Sequence, residues 1–284
     1  MLATKGKTST KKNNMNRRFF KTQWKSYYFT KENSALGEKL SELALDCNEQ
    51  SGNLPLIRLT KIFEHIYIDE VQDLAGYDLD LLKQLFLSNS NIVLAGDPRQ
   101  TTYLTNHNGR KNISFRDGKI IEYLESQKEL KDKYVVDFDT LNKSWRCCQE
   151  ICDFSSKISK GFPRTVSGNE SIVHIKGVYL IKPEDKERFL QLYSNMIQLR
   201  WDIRNKTVIQ EFDCMNFGES KGLTYDGVLI YPVSDMKEWI ENNDKILAPS
   251  TRCKFYVAVT RAKYVVGIVW DKKTCSNKEL KFWT

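Results

Sequence analysis

No apolar run in this sequence of 284 residues approaches the roughly 18 residues that a membrane-spanning helix needs. The basic N-terminus is not followed by the apolar stretch of a secretory signal peptide. We therefore expect no membrane partner and a cytoplasmic location. The seven cysteines are odd in number and scattered, which favours reduced thiols over a disulfide framework.

Acidic residues are absent before Glu32, whereas the same stretch contains nine lysines and arginines. This stretch accounts for the net charge of +8, and the remaining sequence is nearly neutral. Aromatic residues such as Phe20 and Trp24 stand among these cations. Cations that meet phosphates and rings that stack on unpaired bases suit a nucleic acid. We define residues 1–30 as the basic arm; for its first 16 residues, a solvated and partly disordered segment is the alternative.

From residue 61 onward, short β-rich apolar runs alternate with polar and helix-like stretches. This alternation predicts an α/β fold with mostly parallel sheets. The predicted strands are 65–69, 91–95, 134–138, 177–181, 227–231 and 264–270, and the leucines of 79–87 predict a helix.

Residues 29–63 predict two further helices, of which the first is capped by Asn33 or Ser34 and reaches about Asn48. Residues 106–133 are polar and are interpreted as an insertion or an interdomain connection. We place a domain boundary near residue 130.

Two carboxylates, Asp69 and Glu70, follow the first predicted strand. Ligands collect at the carboxyl edge of parallel sheets, so Asp69 could contact Mg²⁺ and Glu70 could take a proton from an attacking water. The second predicted strand ends in a tight turn from Gly96 to Gln100, and the uncharged Gln100 could report a γ-phosphate by hydrogen bonding. A pair of carboxylates after one strand is weak evidence by itself.

Five segments together resemble the UvrD/Rep-like superfamily 1 DNA helicases. In family order, IYIDEVQD resembles motif II, VLAGDPRQTTY motif III, LNKSWR motif IV, ESKGLTYDGVLIYP motif V and KFYVAVTRAKYVVGIV motif VI. The resemblance implies two RecA-like lobes of the P-loop NTPase type, with mostly parallel sheets. Residues 31–130 would form a partial first motor domain, and residues 131–284 would form the second.

The resemblance also implies roles for individual residues. Asp69 matches the Mg²⁺ ligand, directly or through water, and Glu70 matches the catalytic carboxylate. Gln100 matches the γ-phosphate sensor, while Arg146 and Arg261 match two arginines that neutralise transition-state charge. Further matched positions are Gly96, Asp97, Gly222 and Thr224 for the nucleotide, and Tyr103, Arg99, Ser220 and Lys221 for nucleic acid. ATP and Mg²⁺ are the implied cofactors, and single-stranded DNA or a DNA junction is the implied partner.

The sequence departs from the family pattern at several places. Ser144 and Trp145 stand where Asn-Tyr is usual, and Thr224 stands where Glu is typical, which puts a contact to the nucleotide sugar in doubt. The segment between motifs IV and V is too short for the helical subdomain of full helicases, which implies a smaller motor without that subdomain.

A phosphate-binding loop of the form G-x-x-x-x-G-K-[ST] is not found in the sequence. Gly6, Lys7 and Thr8 match its end, but Met1 stands at the first glycine position. We therefore assign Lys7 to the basic arm and expect a first lobe that is incomplete at its N-terminus. Such a lobe would expose apolar sheet edges unless another chain covered them, and we expect little hydrolysis by the chain alone.

Three hypotheses follow from these patterns. The first is an ATP-dependent DNA helicase or translocase. The second is a split motor whose partner carries the P-loop; small UvrD-like helicases of bacterial anti-phage systems also make a nuclease partner plausible, and a homo-oligomer is a further alternative. The third is a catalytically degenerate module that binds nucleic acid or a protein. A zinc site at Cys147, Cys148 and Cys152 is disfavoured because no histidine has suitable spacing.

Overall fold

The computed structural model describes residues 19–106 and 110–284, so Lys7 and most of the basic arm lie outside the described residues. The chain divides into two compact units. The first unit runs to Asp97 and resumes at Leu104–Tyr134, and the second consists of Pro98–Tyr103 and Val135–Thr284.

The first unit has helices around a pair of parallel strands. Its elements are α1 (Trp24–Tyr28), α2 (Leu40–Gln50), α3 (Leu54–Ile62), β1 (His65–Ile68), α4 (Tyr77–Phe86), β2 (Asn91–Leu94) and α5 (Ile120–Ser126). The predictions of strands at 65–69 and 91–95 and of a helix at 79–87 are confirmed. β1 pairs with β2 in register from His65 opposite Asn91 to Ile68 opposite Leu94.

The core of the first unit forms between α4 and α5. Leu79 and Leu82 of α4 pack with Ile120, Tyr123 and Leu124 of α5. The interpretation of residues 106–133 as an insertion or connection is therefore wrong for its described part. The spacing of the apolar residues on α5 is that of one helix face, and the many charges around them concealed this pattern.

The first long helix begins later than predicted. Asn33 lies in a turn with a positive φ of 60°, and a 3-10 turn at Gly37–Lys39 precedes α2. Phe29 forms an antiparallel bridge with Ala35. The prediction that Asn33 or Ser34 caps the helix is therefore wrong, because these residues turn the chain back along α1.

One face of the β1–β2 pair is exposed. Tyr67 and Val93 lie opposite each other on this face and are 73% and 45% exposed, respectively. Ile66 and Ile68 alternate with them and are half-buried. Since parallel sheets usually have both faces covered, the exposed face is an unusual apolar surface.

The second unit is built on a six-stranded sheet in which every pairing is parallel. Its elements are β3 (Lys143–Ser144), α6 (Gln149–Ile158), β4 (Val166–Ser167), β5 (Gly177–Ile181), α7 (Lys186–Leu190), β6 (Met196–Arg200), β7 (Cys214–Asn216), β8 (Tyr225–Ile230), α8 (Ser234–Glu241), α9 (Pro249–Val259), β9 (Ala262–Val269) and β10 (Lys281–Phe282). The strand order is β10-β5-β9-β8-β6-β7, and β3 pairs separately with β4. The predicted α/β class with mostly parallel sheets is confirmed.

Three of the four strands predicted in this unit are confirmed, as β5, β8 and β9. The strand predicted at 134–138 is wrong. Val135 is 95% exposed, and the Asp137 carboxylate accepts hydrogen bonds from the N–H groups of Asp139 and Thr140. The aspartate therefore forms a turn, which competes with strand pairing.

Apolar residues cover both faces of the large sheet. Adjacent residues of β8 point to opposite faces, with Val228 in one core cluster and Leu229 in the other. The first cluster includes Phe255 of α9, and the second includes Phe189 of α7. This two-sided burial explains why β8 and β9 are continuous apolar runs in the sequence.

Candidate functional site

The first unit places two carboxylates at the carboxyl end of β1. Glu70 has a left-handed backbone with φ 54°, and its N–H donates to Asp69 Oδ1 at 2.7 Å. Both side chains are exposed. A left-handed conformation is costly for a residue with a Cβ and is found disproportionately at functional sites.

Gln72 joins the ends of the two strands. Its side-chain amide donates to the Glu70 carboxylate, and its Oε1 accepts from the N–H of Asp97 at 3.0 Å. Gln72 is only 1% exposed. A Cβ added at Gly96 would lie 2.5 Å from Gln72 Oε1 and 2.8 Å from Val71 Cγ2, so this turn requires glycine.

Sequence reasoning assigned no role to Gln72. A single glutamine between apolar and acidic residues gives no periodic signal. Its position two residues after Glu70 is the one feature that pointed to it.

The carboxylates of this turn fit a magnesium ion bound together with a nucleotide. Proteins hold Mg²⁺ in such sites through one or two carboxylates, and phosphates and waters supply the other ligands. Asp69 offers an exposed carboxylate beside Glu70. Within residues 19–106 and 110–284, no group of three or more His, Cys, Asp or Glu side chains is arranged to hold a metal by itself.

In the second unit, Arg261 links motifs III and VI. It lies between α9 and β9 and is 2% exposed. Its Nη2 donates to Gln100 Oε1 at 3.0 Å and to Thr260 Oγ1 at 3.2 Å. Its Nε donates to the carbonyl of Val257 at 3.1 Å, and its Nη1 donates to that of Leu223 at 3.4 Å.

Arg146 lies beside the same junction. Its Nη1 donates to the carbonyl oxygen of Thr260 at 3.1 Å. Asn169 in turn fixes the Arg146 backbone, because its side-chain amide donates to the Arg146 carbonyl at 2.7 Å. Both predicted arginines therefore contact Thr260, and the predicted Gln100 contacts one of them.

An open pocket of about 420 Å³ adjoins Arg146. Its lining residues are Trp145, Arg146, Asn169, Ser171, Thr224, Lys263 and Tyr264. The Trp145 side chain is 72% exposed, and Lys143 Nζ lies 4.2 Å from its ring centroid. The pocket combines exposed aromatic surface with cationic groups, which suits an anionic ligand that carries a ring.

The sequence identified Arg146 and Thr224 in this pocket but missed Asn169, Lys263 and Tyr264. Asn169 lies outside every motif. Lys263 and Tyr264 lie two and three residues after Arg261 within the motif VI segment. The motif resemblance therefore covered these positions without assigning them a role.

The residues predicted to contact nucleic acid differ in exposure. Tyr103 is 56% exposed. Arg99 donates to Thr165 Oγ1 at 3.0 Å and lies 4.9 Å from the ring centroid of Tyr256. Ser220 is fully buried, and its hydroxyl donates to the Phe217 carbonyl at 2.7 Å. The Ser220 side chain therefore points into the unit.

The loop before β8 contains the remaining predicted positions. Lys221 is half-buried, and Gly222 has a φ of 81°. The N–H of Tyr225 donates to the carbonyl of Arg261 at 2.9 Å. The start of β8, within motif V, is thereby held against motif VI.

Three cysteines near Arg146 are buried, and their thiols are expected to be unreactive. Burial raises the pKa of the Cys148 and Cys152 thiols to about 12, and it also raises the pKa of Cys147. The protonated thiol is the poorer nucleophile and metal ligand. All seven cysteines are free thiols.

Comparison with known proteins shows which family part of this sequence is similar to. The model of the UvrD/REP helicase N-terminal domain matches residues 2–131. The RecBCD enzyme subunit RecB of Mycolicibacterium smegmatis is 27% identical over 135 residues, which are 48% of this chain and 11% of that protein. Residues 2–131 belong to the UvrD-like helicase family. The predicted family of UvrD-like superfamily 1 helicases is confirmed.

Viral helicases are among the similar solved structures. The PRRSV helicase has a TM-score of 0.42 and 17% identity, and the match covers 75% of this chain and 35% of that one. The arterivirus nonstructural protein 10 helicase, in complex with DNA, has a TM-score of 0.41 and 15% identity, with coverage of 72% and 39%. The chain spans about a tenth of the RecB subunit and between a third and two fifths of these viral chains.

None of the helices in the described part of the chain combines the length and apolarity needed to cross a bilayer.

Proposed function

We propose that this chain is the motor part of an ATP-dependent DNA helicase or translocase that binds single-stranded DNA. The observation that carries the proposal is the cluster at Thr260, where Arg146 and Arg261 meet and Gln100 contacts Arg261. Buried or half-buried arginines that share one contact point are suited to a polyphosphate, whose oxygens accept bidentate hydrogen bonds. The UvrD-like family supports ATP as that polyphosphate.

The same cluster offers a physical route from nucleotide to DNA. A γ-phosphate that bound Arg261 would compete with Gln100 for Nη2. Gln100 lies three residues before the exposed Tyr103, on whose ring a base could stack. Loss of the phosphate would then change the position of the segment that holds the DNA base.

Asp69 would hold Mg²⁺, which when bound neutralises charge on the phosphates. Glu70 would accept the proton of the attacking water, and Gln72 would keep the Glu70 carboxylate in position. Trp145 would stack on the nucleotide base, while Arg146 and Lys263 would contact phosphate oxygens.

The binding step is tested with a fluorescent ATP analogue and Mg²⁺, measured by anisotropy. We expect saturable binding that Trp145→Ala and Arg146→Ala each weaken about tenfold or more, as the loss of a stacked ring or of a charge-assisted hydrogen bond predicts. Trp24→Ala is the matched control, because this tryptophan is 61% exposed and belongs to the first unit. Equal affinity in all four proteins, or no binding by the wild type, would contradict the proposal.

A second version of this function assigns the phosphate loop to another polypeptide. It is favoured by the exposed apolar face of β1 and β2, where Tyr67 is 73% and Val93 45% exposed. A protein partner that covered this face would bury its apolar residues. The partner would carry G-x-x-x-x-G-K-[ST], and a nuclease or a second copy of the chain are the other candidates. A role in anti-phage defence stays a prediction from the family resemblance.

Turnover with saturating single-stranded DNA separates the two versions. We expect the chain alone to hydrolyse ATP slowly, and a co-purified P-loop protein to raise turnover at least tenfold. Tyr67→Ser with Val93→Ser should remove this stimulation while leaving binding of the ATP analogue unchanged. Fast turnover by the chain alone would contradict the second version. Glu70→Gln should abolish turnover in either case.

A further inference from the structure

The N-terminal segment of the first unit presents aromatic rings to solvent. Phe19, Phe20 and Trp24 are 41%, 74% and 61% exposed, respectively. They occur within six consecutive residues: Phe19 and Phe20 directly precede the 3-10 turn Lys21–Gln23, and Trp24 begins α1. Scattered single apolar residues are normal on a surface, whereas three large rings in one short segment need an explanation.

The segment is held in place, so the exposure of its rings is not that of a loose end. Tyr28 is 3% exposed, and its hydroxyl donates to the carboxylate of Asp46 on α2. The Tyr27 hydroxyl donates to Glu42 at 3.0 Å. Lys21 Nζ donates to Asp46 at 2.7 Å. These contacts fix both ends of the segment on one helix.

The rings lie in a purely cationic stretch of sequence. Lys21, Lys25 and Lys31 are exposed, and Arg17 and Arg18 precede them in the sequence. No acidic residue occurs before Glu32. Lys25 directly follows Trp24 in the sequence and, like it, is exposed.

We propose that residues 19–31 form a second binding surface for single-stranded nucleic acid, separate from the motif residues of the second unit. We call it the N-terminal platform. Exposed rings on a fixed backbone can stack on unpaired bases, and neighbouring lysines can contact the phosphates between them. A protein partner fits less well, because interfaces between proteins are depleted of lysine at their centres. A duplex would offer the rings no free base faces, so the platform prefers single strands.

The N-terminal platform goes beyond the proposed motor. A strand held there is held without nucleotide, since none of the residues of the Thr260 cluster belongs to the platform. A motor that keeps such a hold would remain on one strand between cycles of hydrolysis.

The test is binding of fluorescent oligo(dT) to the full chain without nucleotide, measured by anisotropy. Phe20→Ala with Trp24→Ala should weaken binding at least tenfold, because each lost ring removes a stacked base. Trp24→Phe should keep most of the affinity. The matched control is Leu54→Ala with Ile57→Ala, two aliphatic residues of α3 that are 63% and 43% exposed but offer no ring to a base.

Salt dependence tests the lysines separately. Lys25→Gln with Lys31→Gln should lower the slope of log affinity against log salt by about 1.4, since each neutralised phosphate of a single strand contributes about 0.7. Both changes leave the Lys21–Asp46 contact in place. A 5-iodouracil oligonucleotide should crosslink to Phe20 or Trp24 on irradiation, as mapped by mass spectrometry.

Crosslinks to Phe20 or Trp24, together with weaker binding by the ring variant Phe20→Ala with Trp24→Ala, support the N-terminal platform. Unchanged affinity of the ring variant, or an equal loss with the α3 control, would overturn it. Failure of the platform is seen in the nucleotide-free binding of oligo(dT), and failure of the proposed ATP site is seen in the binding of the ATP analogue, so the two are distinguishable.

Discussion

At the scale of single residues, the turn that carries the carboxylates depends on a glutamine that the sequence did not single out. The motif resemblance identified Asp69, Glu70 and Gly96, because their identities are fixed by their chemistry and by backbone space. The role of Gln72 arises only when β1 and β2 pair, since its amide reaches both strand ends. A contact between residues 25 positions apart leaves no local pattern in a sequence.

The close contact at Gly96 gives a prediction about stability. We expect Gly96→Ala to lower the free energy of unfolding by about 1–3 kcal/mol, because the new methyl group would overlap Gln72 Oε1 and Val71 Cγ2. The matched control is Gly37→Ala, since a Cβ at Gly37 meets no atom within 4 Å. Urea unfolding followed by circular dichroism measures both variants. Equal unfolding midpoints would show that the turn relaxes around the methyl group.

At the scale of elements, α1 and α2 are joined by ionised side chains at a half-buried contact. Burial acts to raise the pKa of Asp46, but hydrogen bonds from Lys21 and Tyr28 lower it more, so the pKa lies below its usual value. Burial alone would lower the pKa of Lys39, whereas the Glu42 carboxylate raises it. The ionised forms are thus favoured in the folded state.

Asp46 therefore predicts a pH-dependent stability. A carboxyl group with a lowered pKa stabilises the fold above its unfolded pKa of about 4, and this contribution is lost as the pH falls through the lowered value. We expect Asp46→Asn to cost about 1 kcal/mol of unfolding free energy at pH 7 and much less near pH 2.5. Asp132→Asn, at an exposed position of the same unit, should have little effect at either pH. A pH-independent loss in Asp46→Asn would rule out the ionised contact as its cause.

Strands that are continuous apolar runs could be predicted from the sequence, whereas the buried β6 could not, because Gln198 and Arg200 interrupt its apolar run. β5, β8 and β9 are continuous apolar runs because they lie within the sheet. β7 and β10 lie at its edges and have three and two residues, respectively, which is too short for a clear pattern. The run 134–138 has strand composition, but the Asp137 turn prevents pairing. Apolar composition alone does not supply a partner strand.

At the scale of the whole molecule, the chain passes from the first unit into the second more than once. Pro98–Tyr103 belongs to the second unit, although it lies between two parts of the first. Arg99 and Gln100 hold this segment there through Thr165 and Arg261. The sequence suggested a single boundary near residue 130. Only the contacts of motif III show that Pro98–Tyr103 packs in the second unit.

The exposed stretch around Val135 predicts where a protease cuts. Residues 131–133 and 135–141 are all exposed and form no helix or strand, so we expect trypsin to cleave first after Lys131 or Lys133. Limited digestion followed by mass spectrometry locates the cut. Changing both lysines to glutamine should protect this region and shift cleavage elsewhere. Early cleavage within α6 or α9 instead would contradict the exposed connection.

Because Pro98–Tyr103 packs in the second unit, a segment of the N-terminal half of the sequence is part of the C-terminal unit. A single cut near residue 134 leaves this hexapeptide covalently attached to the N-terminal fragment while it still packs among the residues of the C-terminal fragment. The severed halves should accordingly co-elute in native gel filtration and come apart only in denaturant. The C-terminal half produced alone would lack this hexapeptide of its own unit, whereas the N-terminal half would keep all residues of the first unit.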